Sequence, residues 1–135
     1  MAQPSETLMD TVFFALDHGV DSVRGGGSLV PFLVTEGAER KLERFLTERL
    51  EEGLAKAHVA ASSLDSAVRA YAIAHDGYVT IEGTKFDAII VEAGERGGPA
   101  AFMFAQRYKP KKGAFGSLKT VGNPAFLGES EQRLR

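Results

Sequence analysis

GAFGSLKT, Gly113 to Thr120, is one residue away from G-x-x-x-x-G-K-[ST], the loop whose backbone N–H groups wrap a nucleotide's phosphates. Leu118 stands where the second glycine of that pattern belongs, and its side chain would fill the space through which backbone approaches phosphate. After Lys119-Thr120 the chain reads VGNP, and Gly122 and Pro124 prevent the helix that should open at the lysine. Nucleotide binding is therefore not expected, and residues 117–122 read as a strand. The run RGGGS, Arg24 to Ser28, fails on the same ground: a strand follows it in place of a helix N-terminus, so its glycines read as a connector.

Asp87 and Glu92, in FDAIIVEAGERG, resemble the acidic spacing with which metal-dependent nucleases hold a divalent cation. Residues an odd number apart on a strand point to opposite faces, so Asp87 goes with Ile89 and Val91, and Glu92 with Ala88 and Ile90. A shared metal is excluded unless a bulge intervenes. His18, His58 and His75 show no H-x-H or H-E-x-x-H spacing, and any site they share must be assembled by tertiary contacts. No Gly-x-Ser-x-Gly elbow is present, and Ser63 and Ser66 have no visible base. No catalytic constellation emerges, and no metal or cofactor is implied.

The remaining candidate is basic. Arg107, Tyr108, Lys109, Lys111 and Lys112, in RYKPKK, could hold a phosphorylated or nucleic-acid ligand by charge while a base stacks on the tyrosine. Against this, a short basic run without a second aromatic platform is more simply a solvated loop after a strand. The charge distribution also counts against it. Residues 1–106 hold 9 Lys+Arg against 16 Asp+Glu, net −7, whereas 107–135 hold 7 against 2, net +5. An acidic body of this kind repels phosphate, so the basic tail is expected to meet the body itself, within the fold or between subunits, and nucleic acid is not the expected partner.

The elements that would position these residues follow from periodicity. From Ser5 to about His18, Met9, Val12, Phe13 and Leu16 recur at the spacing of one helical face, with Gly19 as its stop. Leu29 to Thr35 reads as a strand, which Pro31 places at an edge or leaves with one unpaired side. Glu36 to about Ser62 reads as one long helix, its stripe formed by Leu42, Phe45, Leu46, Leu50, Leu54 and Ala57. After Ser66 the period changes to 2, and turn signals at Asp76-Gly77, Gly83-Thr84 and Gly97-Gly98-Pro99 divide strands at 67–75, 78–82, 86–94, 100–108 and 117–122. The sum is an α+β domain over 1–135: helix-strand-helix, then an antiparallel meander, with the helices on one face of the sheet and 122–135 as an irregular tail.

The 135 residues are enough for a core without crosslinks, and the absence of cysteine excludes disulfides and thiolate-ligated metals. MAQPSETLMD lacks the basic head and apolar stretch of a leader, so a soluble cytoplasmic protein is expected. AIIVEA (88–93) and AAFMFA (100–105) are apolar on both alternating sets, so both faces of the central strands should avoid water. Two helices on one side leave the other to the tail or to a second subunit. The expected function is an interaction or ligand-binding module that forms a homodimer through its sheet.

Overall fold

The computed structural model describes residues 3–110 and 116–134. Helix α1 spans Glu6–Val23, and its start is chemically defined. Ser5 is the N-cap: its hydroxyl accepts from the Leu8 N–H at 3.0 Å, while its own N–H and O–H donate to the Glu95 carboxylate at 3.2 and 2.6 Å. The helix therefore begins where it is tied to the far end of a strand. It runs past Gly19 because that glycine is a contact point: an added Cβ there would lie 2.6 Å from Cγ2 of Ile89.

Six strands follow with one more helix between them: β1 Phe32–Glu36, β2 Arg40–Arg44, α2 Leu50–Ser62, β3 Ala70–Ile81, β4 Thr84–Glu95, β5 Ala101–Lys109 and β6 Lys119–Ser130. They form one antiparallel sheet in the order β2-β1-β3-β4-β5-β6. The α+β class and the antiparallel sheet are as the sequence predicts.

Alternation along the strands divides the core in two. Phe32 and Val34, Ala70, Ala72 and Ala74, Ile89, Val91 and Ala93, and Phe102 and Phe104 pack with Leu8, Val12, Ala15, Leu16 and Val20 of α1. The alternate residues Leu33, Tyr71, Ile73 and Ala101 pack with Ala57 and Ala61 of α2 and with Leu134. The two helices thus lie on opposite faces, a correction to the expectation of one shared face. Small residues make this possible, since Ala57 and Ala61 let α2 sit close to the sheet and Gly53 packs on the Phe45 carbonyl of the connector.

Three boundaries also differ. Residues 36–49 are a hairpin and a connector instead of helix: β2 pairs with β1, Leu42 opposite Val34, and Gly37 takes the turn. Only Leu42 of β2 turns toward the core, so strand pairing is satisfied by a segment whose apolar spacing also fits a helix, and Leu46 is left 81% exposed. Pro31 sits just before β1, where no ladder donor is required, and β1 lies inside the sheet between β2 and β3.

At Asp76-Gly77 the chain does not turn. Strand β3 continues, and the hairpin closes at Glu82-Gly83, both at positive φ (50° and 80°), between the paired Ile81 and Thr84. Two central residues at positive φ match the right-handed strand twist. Gly77 is instead a close approach, since a Cβ there would meet Ile90 Cδ1 at 2.8 Å. Finally, residues 119–130 are strand, so the expected irregular tail from 122 is correct only beyond Ser130.

Gly19→Ala should lower the unfolding free energy by roughly 1 kcal/mol, because overpacking against Ile89 outweighs the helical gain of alanine. Denaturant unfolding of the variant, and of the double variant with Ile89→Ala, should show less than additive loss.

Candidate functional site

The basic segment does not present one surface. Tyr108 is buried in the α1-side core, 5% exposed, and its hydroxyl donates to Asp76 Oδ1 at 2.7 Å. Burial, then that bond, raises the tyrosine pKa. A ring so placed offers no stacking platform. Arg107 points to the opposite face, its guanidinium 4.9 Å over the Phe86 ring. Its Nε is buried with no hydrogen-bond partner. Lys109 is exposed and lies directly opposite Lys119. Lys111 and Lys112 fall outside the described residues, as does 113–115 of the phosphate-loop lookalike, whose Lys119-Thr120 begin a strand.

Parity assigns Asp87 and Glu92 correctly to opposite faces. Asp87 lies opposite Tyr78 and Tyr108, and Glu92 opposite Ile73 and Met103. Under α2 the fold assembles a polar cluster that the sequence spacing does not reveal. Glu92, 6% exposed, accepts from the Tyr71 hydroxyl at 2.8 Å and from Arg133 at 2.6 and 3.3 Å. Arg133 belongs to the basic tail and Glu92 to the acidic body, so the two charge blocks do meet here. His75 and His58 approach this cluster, and burial lowers the pKa of both. For His58 the Arg133 charge adds to the lowering, for His75 the neighbouring His58 does, and Glu92 opposes it in each.

Glu92, Tyr71 and Arg133 of this cluster are bonded to one another. The carboxylate has an ion pair and a phenol, and Tyr71 is fully buried. Among the described residues no three His, Asp or Glu side chains come together as metal ligands. The arrangement fastens the C-terminal residues over β3 and β4 and leaves little to offer a substrate.

What faces outward is apolar. The core on the α1 side continues past β5 onto β6, where Phe126 packs at 6.3 Å from Phe102 and 5.6 Å from Phe104, ring centre to ring centre. Phe126 is nevertheless 55% exposed and Leu127 45%. Helix α1 lies on β1, β3, β4 and β5. Its Asp17, Val20 and Arg24 border a cleft with Gln106 of β5 and Thr120 of β6, which makes that helix flank the one nearer β6. Phe13, one turn before Asp17 on that flank, is 46% exposed. The opposite flank is occupied, with Phe14 under the Arg40 guanidinium and His18 against Phe32.

No helix among the described residues is long and apolar enough to cross a membrane. Comparison with protein-family models, curated proteins and solved structures gives no match.

The depressed histidines carry a signed pH dependence. Their unfolded forms take up protons near 6.5, while the folded forms resist until lower pH, so stability is present above 6.5 and is lost as pH falls below it. Urea unfolding across this range should show that loss, and His75→Gln should reduce it while His58 and His18 keep the remainder.

Proposed function

We propose that this protein is an interaction module that self-associates through the outer border of its sheet, using β6 and the adjoining flank of α1. One observation carries the reading: Phe126 is in contact with the buried Phe102 and Phe104 and is still 55% exposed, so the core runs out to a strand with an open apolar side. A second copy of this chain is the occupant. A two-fold contact would set Phe126 and Phe13 of each subunit against the same groups of its partner, which removes water from both at once.

The contact is face to face. Continuous ladder pairing between two β6 strands is opposed by the register shifts at Met103/Phe104 and Ala105/Arg107, by positive φ at Gly122 and Gly128, and by Pro124, which cannot donate.

The two-sided central strands have most of their cover within the chain, from α1 on one face and from α2 with residues 131–134 on the other. Self-association then rests on the β6 border and not on a bare sheet face.

Light scattering at micromolar concentration should give twice the chain mass, and Phe126→Glu should give a monomer with unchanged secondary structure. A wild-type chain that stays monomeric ends this reading.

A second reading has a specific observation behind it. Lys109 and Lys119 are paired across strands, an unfavourable like-charge contact, beside Arg107 over Phe86. A phosphorylated ligand between them would relieve that repulsion. Charge reversal at Lys109, Lys111 and Lys112 should then abolish retention on a phosphate or oligonucleotide matrix, and unchanged retention removes the reading.

A further inference from the structure

Helix α2 lies on β1 and β3, and residues 132–134 close the same face of the sheet around Glu92, Glu95 and Gly98. Among the described residues no helix lies over the remainder of that face. An added Cβ at Gly77 would lie 2.8 Å from Ile90 Cδ1 and 3.7 Å from His75 Nε2, so these three share the face of Tyr71 and Ile73. Register then sets Gly77, Ala88, Arg107 and Val121 in one row across β3 to β6. Ile90 and Ala105 stand in the row nearer α2, and Val79 and Phe86 in the row farther from it. Val79, Phe86, Ile90 and Val121 are only half-buried. Ala88 and Ala105 between them, 0% and 1% exposed, belong to neither core.

The charge on this patch is of one sign. Lys109 and Lys119 are paired on it beside Arg107, and its rows hold no Asp or Glu. Arg107 lies over Phe86 with its Nε lacking an acceptor, and it has no carboxylate partner among the described residues. Three cations are thus gathered at one end of an apolar surface, on a chain whose net charge is −2.

These features select the occupant. A second copy related by a two-fold axis would set the three cations against their own counterparts, which opposes it. A flat lipid surface is held off by α2, which stands about 10 Å thick beside the patch. Four strands at their usual spacing span about 14 Å, close to the diameter of about 10–12 Å of one helix with its side chains.

We propose that this patch docks an acidic amphipathic helix of a partner protein, laid on the sheet beside α2. Its apolar side covers Val79, Phe86, Ile90 and Val121, and its carboxylates accept from Arg107, Lys109 and Lys119. Apolar contact and charge are both required, which separates this partner from a bare phosphate on the same lysines. The proposal rests neither on the phosphorylated-ligand reading nor on self-association, since the patch lies on the face opposite Phe126.

The test is an amide-resolved NMR titration of the full chain with a capped peptide of about 16 residues of Leu, Ala and Glu in amphipathic helical order, long enough to fold on contact. The parallel probes are the same peptide with Lys in place of Glu, and inorganic phosphate at equal ionic strength. Shifts are expected at 77–79, 86–90, 105–109 and 119–121 with the acidic peptide alone. Lys109→Glu with Lys119→Glu keeps a like-charge pair at two exposed positions, so the fold is loaded as before, and should weaken binding about tenfold. Val79→Ser should weaken it a few-fold by removing apolar contact. No shift with the acidic peptide, equal shifts with the lysine peptide or with phosphate, or affinity unchanged in both variants would each overturn the proposal. So would shifts of these amides when the chain alone is concentrated, which would give the patch to a second copy.

Discussion

Residues 70–74 of β3 and the adjoining half of β4 have to be dry on both sides, and the rest of the architecture answers to that requirement. Ala70, Ala72 and Ala74 face one way while Tyr71 and Ile73 face the other, all 4% exposed or less. A sheet centre of this kind cannot be served by helices stacked on one face. Consequently α1 and α2 separate, and α2 is short, small-faced and set over β1 and β3. The part of the α2-side face that it does not reach is closed by Gln132, Arg133 and Leu134. Gln132 donates to the Glu95 and Gly98 carbonyls at 2.8 and 3.2 Å, and Leu134 enters the core with Tyr71 and Ile73. The chain end is thus a structural element in the same sense as a helix.

Electrostatics follows the same layout. A carboxylate buried under α2 is tolerated because a guanidinium and a phenol meet it there. Glu95, at the far end of β4, receives the N-cap serine of α1. Two acids of one strand therefore anchor the two chain ends, one on each face. The acidic body and basic tail visible in the composition become, at Glu92 and Arg133, one contact.

How much of this was legible depended on whether a signal was local. Helix α1 is readable because Met9, Val12, Phe13 and Leu16, which form its face, lie within a few turns of each other. The strands of the meander are readable from alternation, and parity alone separates Asp87 from Glu92. The segment 36–49 was not, because Leu42 serves a helical stripe and a strand equally, and the choice is made by Val34 on another strand. Asp76-Gly77 looks like a turn in isolation and is overruled by twelve-residue pairing of β3 with β4. The outer strand was cut short because Gly122, Asn123 and Pro124 read as a stop, whereas the sheet absorbs them as an irregularity. The contacts of Glu92 with Tyr71 and Arg133, 21 and 41 residues away, leave no trace in local spacing. The burial of Tyr108 was hidden for a similar reason: a tyrosine among lysines looks solvated until Asp76 is found beside it.

The two rims of the sheet are unlike, and their difference limits what the molecule can build. At one rim β2 is five residues, RKLER, with four of them charged. At the other, β6 is long but kinked twice. Neither offers the straight, greasy template on which further chains could be added one after another. Growth of the sheet edge to edge into a fibre is therefore checked by the shape of the borders themselves.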